Sequence, residues 1–379
     1  MRNKRLDILR CVAIVIVIGH HAGVYPVVTK MGWVGVDLFF VLSGFLISGL
    51  LYTEFKKRQT IRVGRFFIRR GLKLYPAFYF FLLVTLIAQF LLLRGPVPIK
   101  SYLYEIFFIQ NYHYGIWNHT WSLAVEEHFY IAVAVLLLAL IRVSSAEKNP
   151  FGVIPYLFVF VAIACVLMRV LTIRLVSPST FRTPLVMNAT HCRIDGLFFG
   201  VFLGYLYHFR ADIVARLVRS TRNRIAIGIL TAALLSVCYF FTRDDHFLLE
   251  FGLTLLYLGF GGLLILTLET HNVLPSRLAA IATKIGTLCA FIGMYSYSIY
   301  LWHFMFIVAF QIFLQRIAHI NLPGVVLFSI FLLGSVALGI FFARLIEFPV
   351  LRFRDRLFPV HAEVSVDPAL LSNQQWDRA

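Results

Sequence analysis

Arg10 and His21 stand eleven residues apart in RLDILRCVAIVIVIGHH, and no charged side chain lies between them. Eleven residues are close to three helical turns, so the two share a face and lie about 16 Å apart along the axis. Asp7 falls on nearly the same face, whereas His20 points about 80° away from Arg10. A neutral imidazole deep in an apolar segment can take a proton from a hydroxyl, because its pKa lies near working pH. The plainer alternative is a hydrogen-bonded structural histidine.

Other segments carry polar groups where apolar ones would be cheaper. In GWVGVDLFFVLSGFLISG, Asp37 lies near one end and Ser43 lies deeper. A carboxylate there can orient an imidazole or balance its charge, or simply cap a helix. In NHTWSLAVEEHFY, Ser122 and Glu126 share a helix face behind Trp121, and Glu127 and His128 follow at once. In YSYSIYLWHFMF, Ser296, Tyr300 and His303 form one stripe at i, i+4 and i+7. In HCRIDGLFFGVFLG, Arg193 and Asp195 precede glycines at 196, 200 and 204, whose spacing permits close helix contact. His191 and Asp195 also spell HxxxD, a match of low specificity. The stretch EFKKRQTIRVGRFFIRRGLKLYP holds eight cations from Lys56 to Lys73. Arg62, Arg65 and Arg69 line up on one face with Arg70 beside them. Guanidiniums so placed suit bidentate phosphate binding, and equally lipid headgroups.

The elements that must hold these groups are long apolar runs. Residues 11–29, 74–93, 285–315 and 317–343 contain no Lys, Arg, Asp or Glu. Each is near the roughly 20 residues that cross a bilayer as a helix. The backbone of a spanning segment must satisfy its own hydrogen bonds, which predicts an all-α, polytopic membrane bundle of about ten helices. The expected spans are 7–28, 33–53, 72–93, 121–142, 151–173, 193–209, 224–241, 247–268, 287–314 and 323–345. Lys and Arg concentrate in alternate connections, which predicts that both termini are cytoplasmic. The expected organisation is one membrane domain, residues 1–358, and a polar, disordered tail, residues 359–379.

With 60% hydrophobic and 14% charged residues, the chain has too little polar surface for a water-soluble domain. The net charge of +17 has no aromatic-basic motif of a nucleic-acid binder beside it. Five widely spaced cysteines offer neither a disulfide framework nor the paired spacing of a zinc site, so no metal site is expected. No phosphate-cradling GxxxxGK loop and no HExxH occur.

In order along the chain, R-x10-H, GVDLFFVLSGF, RFFIRRGLKLYP, WSLAVEEHFY, RIDGLFFG, YSIYLWH and EFP (Glu347 to Pro349) resemble the acyltransferase family 3 of integral membrane proteins. Members O-acetylate bacterial surface polysaccharides, lipooligosaccharides and some small molecules. The resemblance runs over about 340 residues. It implies a multi-pass protein of the bacterial inner membrane. Acyl-CoA would be a cytoplasmic cosubstrate rather than a resident cofactor, and a glycan or lipid-linked saccharide would be the acceptor. By matching position, His21 and Arg10 are the essential pair, and Glu126 and Arg65, Arg69 and Arg70 are important.

The assembled expectation is a His21 general base helped by Arg10, Glu126 and Asp37, with CoA phosphates on Arg65, Arg69 and Arg70. Trp121, Ser122, Arg193, Asp195, Tyr300 and His303 would form the substrate side. Many relatives carry a further extracytoplasmic hydrolase-like domain, and none is expected within residues 1–379. A glycan or lipid transporter would also bury His, Asp, Glu and Arg in a helical bundle. No duplicated halves of the kind common in transporters are visible here. A small-molecule acceptor is a further alternative.

Overall fold

The structure is a computed structural model that describes residues 3–93, 98–113, 115–144, 149–176, 182–269 and 276–358. The expected tail, 359–379, lies outside the described residues. Among them every regular element is a helix.

Asn3 caps α1 (Lys4–Ala22) by accepting from the Arg5 amide, and Gly23 ends it in the left-handed region at φ 66°. A side chain is strained there, so the expected span 7–28 stops at this glycine and a short α2 (Pro26–Met31) follows. α3 (Gly35–Arg58) and α4 (Val63–Ala88) come next, with Pro76 inside α4. α5 (Ile99–Ile106) is short, and a loop returns the chain to α6 (Trp121–Val143). Then come α7 (Ile154–Leu175), a short α8 (Arg182–Asn188), α9 (Thr190–Phe209) and α10 (Ala211–Val218). α11 (Thr221–Leu235), α12 (Val237–Phe240) and α13 (Leu253–Glu269) lead to α14 (Ser276–Met294) and α15 (Ser296–Ile312). α16 (Gly324–Phe342) runs through a π-helical turn, Ala343–Glu347, into α17 (Phe348–Leu357).

Eight described helical stretches are long and apolar enough to cross a membrane, and nine if the sharply bent pair around α9 and α10 is one span. α1 falls outside that count because Lys4, Arg5, Asp7 and Arg10 crowd its first two turns. The expected span 287–314 is divided at Tyr295 between α14 and α15. The chain is a multi-pass, all-helical membrane protein.

Backbone contact between helices sets the centre of the bundle. A Cβ on Gly44 would meet the Leu197 carbonyl oxygen at 1.9 Å, and one on Gly200 would meet that of Val41 at 2.4 Å. α3 and α9 therefore touch along their glycines, as the small-residue stripe requires. This brings Asp37, near the start of α3, against Arg193, near the start of α9.

Candidate active site

A cavity of about 350 Å³ opens among the described residues, near the low end of the roughly 300–1,000 Å³ common for ligand sites. Its walls come from α1, α3, α4, α6, α14, α15 and α17. Arg10, Arg70, Lys73 and Arg354 stand on its lining with the carboxylates Glu126 and Glu347; the hydroxyls Ser43, Ser122, Ser296, Tyr297 and Tyr300 also line it.

The carboxylates are anchored. Glu126 accepts from Ser43 Oγ at 3.1 Å and from the Tyr130 hydroxyl, and Arg70 approaches it at 3.6 Å. Arg70 also donates to Tyr130 and stacks over its ring at 4.1 Å. Glu347 accepts from Ser298 Oγ at 2.7 Å. Arg10 pairs with Asp7 at 2.9 Å. Tyr300 donates to the His119 carbonyl at 2.5 Å, which spends its proton, so Ser122 donates to Tyr300 across 2.7 Å.

Tyr300 and Ser122 bound the lining, and beyond them lies a cluster of histidines. His303 is fully buried, with Nδ1 2.6 Å from the Tyr300 carbonyl oxygen and Nε2 3.1 Å from His21 Nδ1. His21 Nδ1 also lies 3.1 Å from the Val17 carbonyl oxygen. A ring nitrogen that faces a carbonyl must carry a hydrogen, so neutral His303 is protonated on Nδ1 and offers a lone pair at Nε2. His21 Nδ1 faces that lone pair and a carbonyl, so it too carries the hydrogen. The lone pair of neutral His21 is thereby left on Nε2, the arrangement a general base needs. His21 is half-buried. His119 packs its ring 5.2 Å from that of His303, and its Nε2 bonds the Leu301 carbonyl at 3.2 Å. Burial pushes the His119 pKa down to about 3, so it is neutral. His20 turns the other way and contacts the Thr29 carbonyl at 2.5 Å.

The expected residues thus divide by place. Arg10, Arg70, Ser122, Glu126 and Tyr300 line the cavity, whereas His21 and His303 do not: they meet each other behind Tyr300, whose carbonyl holds His303. Arg69 does not line the cavity: it pairs with Asp355 of α17 at 3.0 Å and donates to the Phe358 carbonyl. Arg65 is likewise absent from the lining. Asp37 accepts from Arg193 at 2.8 Å, and the neighbour that orients His21 is His303. Asp195 pairs with Arg169 at 2.5 Å while His191 faces the Tyr112 hydroxyl at 3.1 Å, so the two ends of HxxxD have different partners. Arg193 lies over the rings of Trp121 and Phe40, 5.4 and 5.7 Å from their centres.

Sequence reasoning overlooked Arg169, His119, Lys73 and Arg354. Arg169 had a signal, a lone cation inside an apolar span. Lys73 and Arg354 were hidden among other basic residues, and His119 in a connecting loop. Among the described residues no cluster of His, Cys, Asp and Glu suits a metal ion.

A family model described as an acyltransferase domain matches residues 3–344. O-acetyltransferase OatA of Staphylococcus aureus (strain NCTC 8325) is 31% identical over 324 residues, which are 80% of this chain and 50% of that protein. Peptidoglycan O-acetyltransferase OatA of Listeria monocytogenes is 28% identical over 321 residues, 79% of this chain and 48% of that protein. The chain spans about half the length of the curated relatives it matches. No solved structure matches it. With the family model running from the first turn of α1 to the end of α16, the chain belongs to the acyltransferase 3 family.

Proposed function

We propose that the chain is an O-acyltransferase that moves an acetyl or similar acyl group from acyl-CoA to a hydroxyl of a surface glycan. His21 is the general base. The observation that carries this reading is the hydrogen-bond chain from the Tyr300 carbonyl through His303 to His21, which leaves the lone pair on His21 Nε2. Family membership and the names of the relatives support the reaction class and a glycan acceptor.

The acyl donor enters at the basic end of the cavity. Its pantetheine arm passes Ser43 and Glu126 and carries the thioester toward Tyr300 and Ser122. His21 Nε2 removes the proton as the acceptor oxygen attacks the thioester carbonyl carbon. The tetrahedral oxyanion collapses, the carbon–sulfur bond breaks, and the leaving thiolate takes the proton from His21. The products are the O-acyl ester and free CoA. By the positive-inside rule the basic end faces the cytoplasm of a bacterial inner membrane, so donor and acceptor approach from opposite faces.

Mass spectrometry of surface glycans tests the reaction itself. Cells that carry the gene should yield glycans heavier by one acyl group than cells without it. Identical masses would reject the glycan acceptor.

A further inference from the structure

We propose that Lys73 and Arg354 grip the phosphates of the donor, and that α17, latched by Arg69, is the wall that completes this anion site. The proposal deepens the function above and rests on its acyl-CoA donor. Four cations and two carboxylates stand on the cavity lining; Arg10 is also paired with Asp7 and Arg354 with Asp355, both off the lining. Arg70 is committed to Glu126 and Tyr130. Lys73 makes no ion pair among the described residues; Arg10, Arg70 and Arg354 lie near enough to repel its ammonium, against the single nearby carboxylate of Glu347. Such crowding of like charges is unfavourable unless an anion relieves it. A polyanion such as a nucleotide diphosphate supplies charge at the needed density.

α17 contributes Phe348, Leu351 and Arg354 to the lining at i, i+3 and i+6, directly after Glu347. It starts at the π-helical turn and has Pro349 in its first turn, so its direction is set locally. Its far end is tied to α4 by Asp355, whose Oδ1 accepts from Arg69 at 3.0 Å and from Arg354 at 2.9 and 2.8 Å. One carboxylate thus serves two guanidiniums. Arg69 turns toward α17, which makes it a positioning residue rather than a phosphate ligand.

The test is calorimetric titration of CoA into the detergent-solubilised full chain. Lys73→Gln and Arg354→Gln should each weaken binding about 10- to 100-fold, the range for a charged hydrogen bond. Arg222→Gln, on an exposed cation at the start of α11, should leave it unchanged. Arg69→Asp should weaken binding, and Arg69→Asp with Asp355→Arg should recover most of it, because a latch works with its charges exchanged. Arg354→Gln, on a peripheral helix, keeps the test decisive if Lys73→Gln does not accumulate. Wild-type affinity in both Gln variants, or no recovery in the exchanged pair, overturns this assignment and leaves the donor reading standing. Failure of the wild-type protein to bind CoA saturably, with anionic phospholipid bound at the same cations instead, overturns both.

Discussion

His303 and His21 act as a unit because one imidazole fixes the tautomer of the other. On the proposed mechanism His21 is the base, so His21→Ala should lower transfer by about 10²–10⁴-fold at equal protein level. His303→Phe keeps an aromatic ring but removes the acceptor at Nε2. It should lower kcat with little change in the KM for acyl-CoA and shift the pH profile, and a change confined to KM would reject the positioning role. The buried pair Arg169–Asp195 is structural by geometry, since Arg169 also bonds the Cys192 carbonyl and Thr254. Asp195→Ala leaves a guanidinium buried without its counter-ion and should cost about 3–5 kcal/mol in stability, read by thermal melting in detergent. At this scale the sequence singles out the polar groups inside apolar segments and is silent about their partners. Arg10 and His21 share a helix, so spacing alone relates them. Asp37 finds Arg193 only through the packing of α3 on α9, which spacing along one helix does not reveal.

The helices were the most legible part. Long uncharged runs located α4, α15 and α16, and an apolar run with only Asp37 in its first turn located α3. What was missed follows from local conformation: Gly23 cuts the first span short, and Tyr295 divides the ninth. The glycine contacts between α3 and α9 give a prediction for elements. Gly200→Ala places a methyl 2.4 Å from the Val41 carbonyl oxygen, so the helices must separate. It should destabilise the protein by about 1–3 kcal/mol.

The loop before α6 is held by Glu105 of α5. Its Oε1 accepts from the amides of Ile116 and Trp117 at 3.1 and 3.2 Å and from Thr120 Oγ1 at 2.8 Å. Burial raises its pKa from 4.5 to about 7 against the opposing pull of those bonds. Between those values the folded state keeps a proton that the unfolded state has lost. Stability should therefore be greatest near and below pH 4.5, fall by about 3 kcal/mol as pH rises to 7, and change no further from this group above that. Melting curves of wild-type protein and Glu105→Gln across that window check this, since the variant should lose the slope.

Across the whole molecule, Arg10 and Arg354 lie near Lys73 on the cavity lining, which places the start of α1, the first half of α4 and α17 on the same side. The proposed orientation puts that side in the cytoplasm by the positive-inside rule, so reporter fusions at both termini should report a cytoplasmic location. The histidine cluster lies farther along the same bundle, and on the proposed mechanism an acyl group travels from the cations to it. The most direct measurement supplies radiolabelled acetyl-CoA to inside-out membrane vesicles and follows label into endogenous glycan. The account predicts saturable labelling by wild-type protein and a loss of at least about a hundredfold in His21→Ala at equal abundance. Labelling by His21→Ala at the wild-type rate would contradict it.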